Sequence, residues 1–297
     1  GKGSTMAPTK DTNLLRLALP KGRMQTNVFD LLAAASITVS AGERNYRPVI
    51  SLPHVEVKIL KPQNIVEMLH AGARDIGFAG ADWVAELGAD LVEVLDTGLD
   101  PVRLVAAAPA AVLVDGQLPV ETPLVVASEY ERLARDWIQQ RNLQATLLKS
   151  YGATEVFPPE DADCIIDNSA TGATLRTNDL TVIDELMTSS TRLYVNPSVL
   201  DNPAQRARVD NLVLLLRAVL ESRRRVMVEM NVAPDRLADL VAILPCMRQP
   251  TVSPLNGDSG FAVRVAVLRS QLTSLIPTIK ERGGSDIVVT SPSQIIP

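Results

Sequence analysis

The stretch DADCIIDNSATGATL, residues 161–175, puts an acid at the end of a short apolar run and follows it with small residues, one glycine and two threonines. The apolar part reads as a buried strand and the residues after Gly172 as the start of a helix. A loop that leaves the C-terminal end of a parallel strand and opens a helix presents unpaired N–H groups and the positive end of the helix dipole. Gly172 and Ala173 let a ligand approach the backbone, and Thr171 and Thr174 add hydroxyl donors, so the segment suits an anion such as phosphate. Asp167 lies a few residues back, where its paired oxygens can accept from two neighbouring sugar hydroxyls. Acid and TGAT together suggest a ribose 5-phosphate site. The spacing alone describes a threonine-capped helix about as well.

Working outward, strand and helix patterns alternate on both sides of this loop. LRLALP (15–20), HVEVKIL (54–60) and DIGFAG (75–80) read as strands. TNVFDLLAAASI (26–37), PQNIVEMLHAGA (62–73) and WVAELGADL (83–91) have helical spacing. The alternation predicts a mostly parallel sheet covered by helices. PLVVAS (123–128), ATLLKSY (145–151) and the strand entering the loop, with the charged helix EYERLARDWIQQRN (129–142), predict a second unit of the same class. LTVIDEL and TRLYVN follow, and then the long amphipathic helix 203–226 reads as a connector.

From about residue 223 the order becomes β-α-β-β-α-β, with Pro234 opening the first helix and Gly283–Gly284 stopping the second, which predicts a small ferredoxin-like domain. The expected boundaries are a tail over 1–13, a first lobe from 14–107 and 191–222, a second lobe over 108–190, and a C-terminal domain over 223–297. GKGSTM resembles a fusion remnant ahead of a native start at Met6.

Composition narrows the function. The 297 residues are 46% hydrophobic with a net charge of −5 and 3% aromatic content, which lacks the basic footprint and stacking platforms of a nucleic-acid binder. Apolar runs such as RLVAAAPAAVLV (103–114) are broken by Arg103 and Pro109 and are too short to span a membrane. No signal-peptide pattern follows Met6, so an intracellular, cytoplasmic protein is expected. Two cysteines, Cys164 and Cys246, read as small core residues, and two histidines, His54 and His70, are too few and too separated for a metal cage. Asp75 and Asp82, beside Gly77 and Gly80, read as caps and turn residues. A small-molecule partner is expected.

The segment GATEVFPPEDADCIIDNSATGATL (152–175) resembles the signature of the ATP phosphoribosyltransferases. LRLALPKGRM (15–24), DIGFAGADWV (75–84), VRLVAAAP (102–109) and PTVSPL (250–255) resemble further segments of that family in the same order. The resemblance implies two periplasmic-binding-protein-like α/β domains with a cleft, and, as in the long form, a C-terminal ferredoxin-like (ACT-like) α+β regulatory domain. It implies attack of adenine N1 of ATP on phosphoribosyl pyrophosphate, with Mg²⁺ present, as the first step of histidine biosynthesis.

By matching positions, the resemblance implies that Glu155 and Asp167 hold the ribose hydroxyls. Asn168, Ser169, Ala170, Thr171, Gly172, Ala173, Thr174 and Leu175 form the phosphoribosyl pyrophosphate loop, Asn168 standing where an apolar residue is usual. Lys21, Gly22 and Arg23, with Lys61 and Arg103, are implied to meet nucleotide or pyrophosphate; Lys21, Arg23, Glu155 and Asp167 are the expected catalytic set. L-histidine is the implied feedback inhibitor, with Glu229, Met247, Thr251, Ser285 and Asp286 near its pocket, in a homo-oligomer running from dimers to hexamers. Two other readings stay open: a non-catalytic ligand-binding or regulatory protein on the same fold, and a phosphoribosyltransferase for another base.

Overall fold

The computed structural model describes residues 13–40, 48–245 and 249–297. It divides into two compact units, Ile37–Asn211 with the chain before Ala34, and Leu212–Pro297 with Ala34–Ser36. The elements of the first unit are, in chain order, β1 (Leu15–Pro20), α1 (Gln25–Ala34), β2 (Val39–Ser40), β3 (Val49–Ile50), β4 (Val55–Leu60), α2 (Pro62–Ala71), β5 (Ile76–Gly80), α3 (Ala81–Leu87), β6 (Val92–Pro109), β7 (Leu124–Ser128), α4 (Glu131–Gln140), β8 (Ala145–Lys149), β9 (Cys164–Ser169), α5 (Ala173–Thr177) and β10 (Leu180–Val195). The boundary between the units falls inside α6 (Pro203–Arg224).

The described residues of the first unit build an eight-stranded sheet in the order β4-β1-β5-β10-β6-β9-β7-β8. Its two ends are parallel trios, β4-β1-β5 and β9-β7-β8. Between them run two long strands, β6 of 18 residues and β10 of 16, antiparallel to each other and to the trio strands beside them. Each trio is a lobe, and β6 and β10 pass through both. A lobe boundary drawn at 107/108 and 190/191 therefore cuts two continuous strands. The β6–β10 ladder slips register five times, once between Ser189 and Thr191, opposite the stretch of β6 where Asp100 takes a positive φ of 47°. Bulges of this kind bend and twist a ribbon, here along the two strands shared by both trios.

Local chemistry accounts for the elements of the first lobe. Pro62 sits at the start of α2, and Gly72 ends it in the left-handed region at φ 79°. β5, IGFAG, is buried at every position, as expected of a strand covered on both faces. A Cβ on Gly77 would lie 2.8 Å from Ile65 Cγ2, so the glycine is what lets α2 pack against this strand. In the second lobe β6 buries alternate residues on opposite faces. Leu104, Ala106 and Ala108 join Val126, Tyr130, Trp137 and Cys164 in one core, and Val105 and Ala107 join Ala127, Ile165 and Leu175 in the other.

The second unit contains β11 (Arg225–Val232), α7 (Leu237–Ala242), β12 (Thr251–Pro254), β13 (Phe261–Leu268), α8 (Leu272–Glu281) and β14 (Ser285–Thr290). They form an antiparallel sheet of order β12-β13-β11-β14, the ferredoxin-like arrangement. Val226, Val228, Met230 and Val232 alternate inward against Leu240, Leu275 and Ile279. Glu229 and Asn231 thereby fall on the opposite face.

Candidate active site

The three parallel strands β8, β7 and β9 end together, and the chain turns back from each of their C-terminal ends. Open α/β sheets bind ligands at this edge. A cavity of about 310 Å³ lies here, lined by Glu155, Asp167, Asn168, Ser169, Ala170, Thr171, Gly172, Ala173, Thr174 and Leu175. It brings together the whole loop picked from the sequence, and Glu155 reaches it from a short helical turn, Thr154–Val156.

Loop geometry explains the residue types. Gly172 adopts φ 78°, a left-handed conformation that costs glycine little. A Cβ there would meet Arg176 Nη1 at 2.8 Å, and that guanidinium donates to Thr171 O at 3.0 Å, bracing the loop. The Ala173 amide donates to Thr171 Oγ1 at 3.3 Å. The helix that follows, α5, is only five residues long, so its macrodipole is short. The donors the loop offers are its amides and the exposed Thr171 and Thr174 hydroxyls, with little contribution from a helix dipole.

The acidic end of the cavity is electrostatically crowded. Burial pushes the Asp167 carboxyl up to about 6. The charges of Glu155 and Glu129 push the same way, and the Asn168 amide, donating to Asp167 Oδ1 at 2.8 Å, opposes them. Glu129, at the end of β7, is also raised, first by burial and then by Glu155, against the Gly152 amide and Lys149. Glu129 carries none of the sequence motifs, and only the pairing of β7 with β9 places it beside Asp167.

Asn168 has a structural role. Its Nδ2 donates to the Tyr130 hydroxyl at 2.9 Å, and that hydroxyl donates to Asp82 Oδ2 at 2.5 Å. Ser189 Oγ donates to Asp82 Oδ1 at 2.9 Å, and Tyr130 stacks on Trp83 with ring centroids 4.5 Å apart. Asp82 is thus a buried anchor joining α3 of the first lobe to Tyr130 of the second, a different role from the cap read from the sequence. Burial and the Asp82 charge raise the Tyr130 hydroxyl far above its ordinary range, so it stays protonated and able to donate. Glu86 strengthens the same junction: its two carboxylate oxygens accept from the Arg132 and Leu133 amides at 2.8 and 2.9 Å, satisfying the first turn of α4. Asp75 behaves as a local anchor, accepting from the Arg16 amide at 2.8 Å.

The cations singled out in the sequence are not among the residues lining this cavity. Pro20 pairs with Leu60, which sets Lys21 beside Lys61 at the matching edge of the first lobe, just past β1 and β4. Gly22 takes φ 80°, and Arg23 Nη1 donates to Asp100 O at 3.1 Å. Arg103 pairs in register with Ser169 but sends its guanidinium to Glu185 at 3.7 Å.

In the second unit a cavity of about 480 Å³ lies on the sheet face away from the helices, lined by Glu229, Asn231, Thr251, Ser253, Arg264 and Asp286 among others. Ser285 adjoins it, its hydroxyl donating to Asn231 O at 3.4 Å, while Met247 and Cys246 lie outside the described residues. Arg264, directly opposite both Glu229 and Thr251, was not singled out by the sequence, where it reads as one more polar position on an alternating strand.

The family model described as HisG: ATP phosphoribosyltransferase matches residues 61–218, and that of the HisG C-terminal domain matches residues 222–292. An ATP phosphoribosyltransferase from Pelotomaculum thermopropionicum is 36% identical over 291 residues, covering 95% of this chain and 99% of that protein. One from Prosthecochloris aestuarii is 34% identical over 279 residues, 92% of this chain and 95% of its own. Among solved structures, the ATP phosphoribosyl transferase (HisG:HisZ) complex from Thermotoga maritima shares the fold with a TM-score of 0.63 over 70% of this chain and 99% of the matched chain, at 24% identity. With its catalytic and C-terminal family models in sequence and relatives of one name matching it nearly end to end, the chain belongs to the ATP phosphoribosyltransferase family.

Proposed function

We propose that this enzyme joins adenine N1 of ATP to C1 of phosphoribosyl pyrophosphate, releasing pyrophosphate, as the first step of histidine biosynthesis, and that L-histidine inhibits it. The observation that carries this reading is the cavity whose one end offers loop amides and threonine hydroxyls and whose other end offers Glu155 and Asp167. The 5-phosphate takes the donor end, and the ribose hydroxyls donate to the carboxylates.

The C1–O bond to pyrophosphate breaks as the N1–C1 bond forms, so positive charge grows on the sugar ring and negative charge on the leaving group. Carboxylates near the ring favour the first, and Lys21, Arg23, Lys61 and Arg103 are proposed to meet the second or the nucleotide. N1 attacks unprotonated, and no general base is needed. Among the described residues no acid, histidine or cysteine cluster has metal-ligand spacing; Mg²⁺ in this reading travels with the pyrophosphate as its counter-ion. Glu229, Arg264, Thr251, Ser285 and Asp286 have the charges and hydroxyls for an amino acid's ammonium and carboxylate groups, which supports the effector assignment. Assembly of dimers into hexamers and a cytoplasmic location belong to the same proposal; no described helix is long and apolar enough to cross a membrane.

Mixing ATP, phosphoribosyl pyrophosphate and Mg²⁺ and following the absorbance of the adduct tests the reading. Turnover is expected, lost in a protein carrying both Asp167→Ala and Thr174→Ala, and suppressed by L-histidine in the parent but not in Glu229→Gln. Phosphoribosyl pyrophosphate bound without turnover would refute it in favour of a binding protein on the same fold.

A further inference from the structure

We propose that Glu129 is a positioning residue of the ribose-phosphate pocket, acting through Asp167 and through the turn that carries Glu155 to tune how firmly the sugar hydroxyls are held as pH changes. The proposal rests on the ribose reading above and goes beyond it, since no motif includes Glu129.

Strand register carries the argument. In the parallel trio Ser128 of β7 aligns with Ile166 of β9 and with Lys149 of β8. One residue further along, Glu129 stands beside Asp167 on one side and Ser150 on the other, at the usual spacing of roughly 4.8 Å between neighbouring strands. The strand ends are held in this alignment: Ser128 Oγ donates to Ile166 O at 2.7 Å, and the Ser150 amide donates to Ser128 O at 3.0 Å.

The Gly152 amide, a few residues before Glu155 in the chain that leaves β8, lies near enough to Glu129 to favour its charged form. Ser150 and Thr154 close the base of the turn at Glu155 with hydroxyls 2.6 Å apart, both buried. Glu129 is therefore the neighbour of Asp167 in strand register and lies within electrostatic reach of the turn that carries Glu155. The groups facing Glu129 are Asp167 from β9, Glu155 from the turn, and Lys149 from β8. Lys149 also lies 3.7 Å from Glu131 at the start of α4, and Glu131 is itself bonded to Arg135. With Lys149 shared in this way, three acids converge on the pocket edge against one divided cation. Like charges held this close favour protonation of the most buried member, which is the group proposed to receive the ribose hydroxyls.

The consequence is a pocket that loosens its hold on the sugar when acidified earlier than Asp167 and Glu155 alone would make it. Two readouts on the full chain test this. The Asp167 carboxyl, labelled with ¹³C and assigned by its loss in Asp167→Asn, is titrated by NMR without substrate. The KM for phosphoribosyl pyrophosphate and kcat are measured across pH. Glu129→Gln is expected to lower the Asp167 midpoint by about half to one unit, within the range that a nearby like charge produces. The low-pH rise in KM is expected to move by the same interval, so that KM at pH 5, about one unit below the parent midpoint, falls roughly three- to fivefold, with the change on KM rather than kcat. Glu129→Asp, which keeps the charge, is expected to retain the parent midpoint.

An unmoved Asp167 midpoint overturns the proposal while leaving the ribose reading intact if the enzyme turns over. A moved midpoint with no phosphoribosyl pyrophosphate binding at any pH keeps the Glu129–Asp167 coupling and refutes the ribose reading. A moved midpoint with an unmoved KM profile overturns the positioning role. If Glu129→Gln does not fold, Glu129→Ala carries the same titration with the same outcomes.

Discussion

Asp167→Asn is expected to make the protein more stable while removing its hold on phosphoribosyl pyrophosphate. Burial, helped by Glu155 and Glu129, raises this carboxyl from an ordinary 3.8 to about 6. The folded chain therefore binds the proton more tightly than the unfolded chain. Between those two values the folded state carries the extra proton, and the site's contribution to stability declines as pH rises. It is most favourable below 3.8, and its cost is complete once pH has passed 6. Two units correspond to about 3 kcal/mol as an upper bound. Partial solvent contact and the amide's need for new partners reduce the expected gain at pH 8 to about 1–2 kcal/mol.

For a unit of this size that gain is a rise in midpoint of about 2–8 °C. The assay is thermal unfolding of parent and variant by circular dichroism at pH 8 and at pH 4, with phosphoribosyl pyrophosphate binding measured at pH 8. The variant is expected to melt higher at pH 8, to lose that advantage at pH 4, and to bind at least tenfold more weakly. A variant no more stable at pH 8, or equally favoured at both pH values, would refute the reasoning. The physical statement under test is that the pocket holds its buried charge at the expense of stability because the ligand needs it.

Tyr130→Phe keeps the stack on Trp83 but leaves Asp82 Oδ2 and Asn168 Nδ2 without their shared partner, and a loss of about 1–3 kcal/mol is expected from the urea midpoint; no loss would mean the lobe junction does not depend on that hydroxyl. Gly172→Ala places a Cβ at φ 78° and 2.8 Å from Arg176 Nη1, so a cost of about 1 kcal/mol and a several-fold higher KM for phosphoribosyl pyrophosphate are expected, read by thermal melting and initial rates.

Most of the candidate pocket was legible because it is local. Residues 167–175 are consecutive, a strand end followed by a tight loop, and Glu155 belongs to the same motif twelve residues earlier. The β-α-β-β-α-β order was legible for the same reason: each element announces itself by its own periodicity and its own stop signals. What stayed hidden lies where distant segments meet. Asp82, Tyr130, Asn168 and Ser189 come from four different elements, and nothing in their spacing links them. Arg264 is visible only once β13 lies between β11 and β12.

The long strands show the same division in the backbone. LTVIDEL and TRLYVN read as separate segments because bulges interrupt the two-residue alternation on which strand recognition depends, yet both belong to one strand, β10. The sequence by itself determined most of the shorter strands, though not β6, and where the small and hydroxyl residues cluster, and the acid that precedes them, because those properties depend on neighbours along the chain. Tertiary structure alone decided that β6 and β10 run through both lobes, that Asn168 reaches the first lobe through Tyr130, and that Glu129 stands beside Asp167. Each of those depends on strand register, and register is set by the packing of faces that the chain brings together only when it folds.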